Sequence, residues 1–332
     1  MATAPSRLAV VTRSNLVESE HWGHLVVADA AGTRLFELGD SRAPTILRST
    51  AKPIQAMTCV RLGCPSAFDW TSRELAIVAA SHAGEPDHLA AVRSLLAKAH
   101  LSSDDLRCGT HAPFSHHQAN ELRRWRRPPS ILHHNCSGKH VGMLSAARLR
   151  SWPIATYFDP GHPLQREHVA TLEQLTGLAG DEIGIAIDGC GVPTFRIPLV
   201  SLAQAFARLA SGDVGGREDV ATAACQVREA MLAEPRFVSG RGRLDSRVME
   251  HAGGVLIAKG GAEGVYAAGL VERGLGIAIK IADGSERAHP AVLGRLLRQF
   301  LPDIDWTAID REFGVRFRDP FGQEVGAIEA AF

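Results

Sequence analysis

At 332 residues, 45% of them hydrophobic and 22% charged, the chain can bury one large core or two interleaved lobes. Its 36 basic residues balance 36 acidic ones, and the pI is near 7.3, which excludes a charge-driven grip on nucleic acid or an anionic membrane. No apolar run is long enough to span a bilayer, the N-terminus lacks a basic segment followed by an apolar core, and six cysteines show no compact disulfide spacing, so a reducing, cytoplasmic location is expected.

Residues 8–11 and 25–28 read as buried strands, and residues 33–38 alternate as a strand with one exposed face. The segment 46–54 then sets Ser49 and Lys52 three residues apart at a predicted helix start, which stacks both on one helix face. Pro53 suits the first turn, and the helix runs to about Leu62. Thr71-Ser72-Arg73-Glu74 is a capping box whose helix, residues 75–80, delivers Ser81 and His82 at its exit. Pro86 opens a helix with the apolar stripe Leu89, Val92, Leu96 and Ala99.

The run His133-His134-Asn135-Cys136-Ser137-Gly138-Lys139-His140 is the densest cluster of coordinating side chains and opens another helix. A helix through Leu164, His168, Leu172 and Leu175 follows, then a short strand over residues 183–187, expected to be buried, ending in the turn Asp188-Gly189-Cys190-Gly191. Helices from about Ser201 and Glu218 precede the loop 239–245. Beyond it the pattern returns to strands at 255–258, 265–270 and 275–281, and a helix over 290–301 closes the chain. Strands at both ends around a helical middle imply a single α+β catalytic unit, residues 1–332, with a sheet lobe from about 1–45 and 250–332 and a helical lobe from about 46–249.

A serine hydroxyl becomes a nucleophile when a neighbour takes its proton, and a lysine does so when burial or nearby charge lowers its pKa. Only five of the 36 basic residues are lysines: Lys52, Lys98, Lys139, Lys259 and Lys280. In a chain that otherwise prefers arginine, which cannot act as a base, lysine beside Ser49 points to chemistry. Lys259-Gly260-Gly261 at a strand end adds a second lysine, with glycines that let a ligand approach the backbone. The order Ser-x-x-Lys, second serine, lysine-glycine strand is that of serine β-lactamases and penicillin-binding proteins.

The joint occurrence of Arg48-Ser49-x-x-Lys52-Pro53, Ala80-Ser81-His82, His134-Asn135-Cys136-Ser137-Gly138-Lys139-His140, Asp188-Gly189-Cys190-Gly191 and Lys259-x-Gly261-x-Glu263-Gly264 resembles the class 3, or rhizobial-type, asparaginase II-like L-asparaginases. The resemblance implies a serine β-lactamase-like fold, a homodimer, and hydrolysis of L-asparagine to aspartate and ammonia. It carries over two Ser-Lys tandems, Ser49 with Lys52 and Ser81 with Lys259, and zinc (Zn2+) bound by Cys136, Lys139 and Cys190. From the residues alone His134, His140 or Asp188 would be the conventional third ligand, since lysine must lose its proton to coordinate. Asp188 is then expected beside the ligands, holding Lys139 or a bound water. Arg48, His82, Asn135, Gly260 and Gly261 are expected at the substrate, and a neutral Lys259 is expected to take the Ser81 proton.

Which serine attacks stays open at this point. Two other readings stand beside the asparaginase: a Ser-Lys hydrolase of β-lactams or D-amino-acid peptides, against which the chain lacks Ser-Asp-Asn and Lys-Thr-Gly, and a zinc-stabilised binding protein without activity.

Overall fold

A computed structural model describes residues 4–332. Eleven strands take part in two sheets: β1 (Ser6–Arg13), β2 (Leu16–Asp29), β3 (Arg34–Leu38), β4 (Pro44–Ile46), β5 (Gly184–Ile187), β6 (Pro193–Pro198), β7 (Leu256–Gly261), β8 (Val265–Leu270), β9 (Leu275–Ile281), β10 (Arg316–Arg318) and β11 (Glu324–Ala330). The large sheet runs β10-β11-β1-β2-β9-β8-β7, with β3 on β2, and every pairing in it is antiparallel. Strand β2 bridges the two chain ends, because residues 16–23 pair with β1 while residues 23–29 pair with β9. The fold is therefore α+β, with its main sheet drawn from both ends of the chain.

β8 and β9 read as nearly unbroken apolar runs because both faces are covered. The described residues also form thirteen α-helices: α1 (Lys52–Arg61), α2 (Cys64–Ala67), α3 (Ser72–Val78), α4 (Pro86–Lys98), α5 (His116–Arg124), α6 (Ser137–Leu149), α7 (Pro163–Thr176), α8 (Leu199–Ser211), α9 (Glu218–Ala233), α10 (Pro235–Val238), α11 (Leu244–Ala252), α12 (His289–Phe300) and α13 (Thr307–Glu312). Helix α8, although it comes from the helical middle, lies across β2, β8 and β9, while α12 covers β1 and β11. α1 packs among α6, α7 and α9 and forms the heart of the helical part.

The capping box is formed as expected: Thr71 accepts from the Glu74 backbone N–H, and Glu74 accepts from the Thr71 backbone N–H at 2.7 Å. The buried Glu74 also takes bonds from Ser94 at 2.7 Å and Lys98 at 2.8 Å, so one carboxylate fastens α3 to α4. Two expectations need correction. Strand β5 is not buried: it is the outer strand of a small β4-β6-β5 sheet, and Ile185 and Ile187 are 51% and 58% exposed. Nor does the chain close at a helix over 290–301, because β10 and β11 follow, and β11 pairs with β1. Among the described residues no helix is long and apolar enough to cross a membrane.

Candidate active site

Ser49 sits in a 3-10 turn, Arg48–Ala51, that feeds directly into α1, where Pro53 occupies the first turn. Arg48 holds a left-handed conformation, φ 49°, costing about 1–2 kcal/mol for a side chain with a Cβ. Its guanidinium is held by Asp188 at 2.8 Å, which ties this strained turn to the Asp188–Gly191 loop. Ser81 leaves α3 with its backbone N–H on the Val238 carbonyl at 2.9 Å. The β7 strand arrives from the far end of the chain and packs against the Ser49 turn.

The two glycines after Lys259 each admit a different neighbour. A Cβ on Gly261 would stand 3.0 Å from the Leu47 carbonyl oxygen and 3.3 Å from the Ser49 nitrogen, so a glycine lets β7 lie against the serine turn. A Cβ on Gly260 would stand 3.1 Å from Oδ1 of Asp245, a residue on α11.

These elements enclose a cleft of about 810 Å³, into which Ser49, Ser81, Asn135, Lys259, Gly260 and Gly261 open. Lys52, 1% exposed beneath it, donates to Ser81 Oγ at 2.8 Å. The expected pairing of Ser81 with Lys259 is not the one formed. Lys259 Nζ instead lies 3.1 Å from Asp245 Oδ2 and donates to the Gly260 carbonyl at 2.8 Å. Burial lowers the Lys259 pKa, the Asp245 carboxylate resists, and Lys52 lowers it further, to about 8. Asp245 itself stays below the usual carboxylate range, because Lys259, Arg243 and the Gly260 N–H outweigh its burial.

Asp245 is a site residue that sequence reasoning missed, as is Arg243 at the same cleft. The only signals for Asp245 are its place at the end of the Arg- and Gly-rich 239–245 loop and the glycine directly after Lys259.

His82 also departs from expectation. It is fully buried, its Nε2 shares a 2.8 Å bond with Ser137 Oγ and its Nδ1 accepts the Gly84 N–H, so both nitrogens are engaged within the core. Ser137 gives its own proton to the Leu132 carbonyl, which makes His82 Nε2 the donor. Burial holds His82 well below an ordinary histidine.

Beside the cleft the structure brings Cys136, Lys139 and Cys190 together, all at most 4% exposed. Lys139 Nζ donates to Cys190 Sγ at 3.1 Å, while the Cys136 thiol donates to Asn135 Oδ1 at 3.5 Å. The influence of Cys136, helped by Lys139 and His140, outweighs burial and drives Cys190 far below an ordinary thiol. Cys136, the partner that keeps the proton, is raised by Cys190 and by burial. Burial works against the Lys139 charge, yet Cys190, Cys136 and Asp188 together raise its pKa.

His134 is occupied in accepting the Cys136 N–H at 3.0 Å, and His140 Nδ1 is 2.6 Å from Tyr157 Oη. His140 Nε2 is buried with no hydrogen-bond partner. Among the described residues no three His, Cys, Asp or Glu side chains are grouped to hold a metal, so a cation here depends on the lysine. Two sulfurs and one amine suit a borderline-soft tetrahedral ion such as zinc, and the donor set fits that group. Asp188, expected to hold Lys139 or water, instead accepts from Arg48 and from the Gly189 N–H, with Cys190 Sγ 4.0 Å from its second oxygen.

The sequence matches the family described as L-asparaginase II over residues 9–330. No protein of curated function matches it. Among solved structures it is similar to a β-lactamase from Mycobacterium bovis, at 15% identity over 84% of this chain and 94% of that one, TM-score 0.43. It is also similar to a Bacteroides dorei protein provisionally described as a β-lactamase, at 13% identity over 83% and 93%, TM-score 0.45. Mglu, solved in the presence of 4.3 M NaCl, is 16% identical over 84% of this chain and 61% of its own, TM-score 0.39. Similarity of this size leaves the architecture to rest on its own strand order.

Proposed function

Because the chain belongs to the L-asparaginase II family and is a hydrolase of that kind, we propose that it hydrolyses the side-chain amide of L-asparagine through an acyl-enzyme on Ser49. The observation that carries the reading is the Lys52–Ser81 bond of 2.8 Å beneath a cleft that both serines line. The step requires Lys52 as a free amine, which donates one N–H to Ser81 and offers its lone pair to the proton of Ser49, three residues away on the same turn of chain. Ser49 Oγ then bonds to the amide carbon as its proton passes to Lys52.

Collapse of the tetrahedral adduct breaks the C–N bond. Ser81 gives its proton to the departing nitrogen, which leaves as ammonia, and Lys52 restores the Ser81 proton. Water then opens the ester, with the same two groups running in reverse. The positive charges of Arg243 and Lys259, both at the cleft, suit the α-carboxylate of an amino acid.

Zinc would be held by Cys136, Lys139 and Cys190, and when bound it would supply a fixed positive charge beside the cleft and a water of lowered pKa. The side chains around it have their own work: Asp188 anchors Arg48, and Tyr157 holds the His140 ring through its Nδ1.

The test is ammonia release from L-asparagine by wild-type protein and by Ser49→Ala. The account expects Ser49→Ala to be inactive yet folded. Retention of most of the wild-type rate would remove Ser49 as the nucleophile.

A further inference from the structure

Asp245 takes part in none of these steps, although it is buried at the cleft wall in contact with Lys259. We propose that Asp245 is a positioning residue that keeps the Lys259 amine charged and aimed at the cleft, so that Lys259 acts as a fixed cation while Lys52 alone exchanges protons. This inference rests on the amide-hydrolase reading above.

The geometry is built around the pair. Asp245 Oδ2 is 3.1 Å from Lys259 Nζ, and the same amine spends a second proton on the Gly260 carbonyl at 2.8 Å. Gly260 in turn gives its N–H to Asp245, and a Cβ at that position would crowd Asp245 Oδ1 at 3.1 Å. The first glycine after Lys259 is thus the one that lets this carboxylate reach the lysine. Lys259 thus spends one N–H on Gly260 and meets a carboxylate with another, and an opposite charge in direct contact favours the ammonium form.

A buried ion pair is weak support for stability, since an apolar pair of similar volume often serves as well. Its position at the wall of a reactive cleft therefore points to a use for the charge. The other titratable groups around the pair are Tyr266 from β8, Arg243 from the loop before α11, Glu286 and His289 near the start of α12, and Lys52 from α1. Among these Asp245 does most to keep Lys259 protonated, and with it the amine titrates at about 8.

The experiment is the pH dependence of kcat/KM for ammonia release from L-asparagine by wild type, Asp245→Asn and Lys259→Arg, with the unfolding of each variant followed by circular dichroism. Wild-type activity should fall as pH rises through about 8, as the cation is lost. Asp245→Asn should move that alkaline limb down by about 1–3 pH units, the range set by an opposite charge in contact. Lys259→Arg keeps its charge at every accessible pH and should flatten the limb.

An alkaline limb left in place by a folded Asp245→Asn would overturn the proposal. Should Asp245→Asn not fold, Lys259→Arg decides: a flattened limb supports the proposal and an unchanged one overturns it. A wild type that releases no ammonia at any pH fails the amide-hydrolase reading itself, which these variants do not test.

Discussion

At the scale of single residues, the site depends on which partner each lysine takes. Ser49, Lys52, Ser81 and Lys259 were legible because the chain is poor in lysine and each lies beside a serine or a glycine pair. Their pairing was not legible, because it is decided where the exit of α3 and the end of β7 meet, and 178 positions separate Ser81 from Lys259. In the structure Lys52 reaches Ser81, and Asp245 claims Lys259. Lys52 and Ser81 should therefore behave as one relay. Ser81→Ala, Lys52→Met and the double variant should each lose about 10²–10⁴ in kcat, and by similar amounts, since a broken relay cannot be broken twice. Losses that add in the double variant would show the two residues acting independently. Lys52→Arg should be as inactive as Lys52→Met, because a guanidinium gives up no proton.

At the scale of elements, the meeting of β7 with the Ser49 turn sets the geometry of the nucleophile. Gly261→Ala would press a methyl to 3.0 Å from the Leu47 oxygen and 3.3 Å from the Ser49 nitrogen, so the turn must move by a few tenths of an ångström. Small misplacements of a reacting group cost up to about 10²-fold, so the variant should lose kcat by about tenfold or more while its Tm changes little. Thr71→Ala is the converse. It removes a helix cap far from the cleft, should cost about 1 kcal/mol of stability and should leave kcat intact. An active Gly261→Ala would show that the close approach serves packing only.

The same scale explains what the sequence hid. The alternation and apolar runs of β1, β3, β8 and β9 mark them as strands, and the capping box marks α3. β5 reads as buried from its isoleucines yet lies on a sheet edge, while β10 has only three residues and β11 carries Glu324 and Glu329, so the pairing of β11 with the N-terminal strand is a matter of tertiary contact.

At the scale of the whole molecule, the cysteine-lysine cluster and the serine cleft are set by helices packed with two sheets, so metal and activity should be separable from folding. Protein purified without chelator should carry about one zinc per chain. Replacing Cys136 and Cys190 together by serine should remove that metal and weaken substrate binding while Tm falls little; global unfolding would instead mark a structural metal. The most direct measurement of all is turnover by a single preparation, read as ammonia from L-asparagine or L-glutamine and as colour from a chromogenic β-lactam, with Ser49→Ala alongside. The account predicts turnover of L-asparagine above either alternative and none by Ser49→Ala. Turnover of the β-lactam without ammonia from L-asparagine would contradict it.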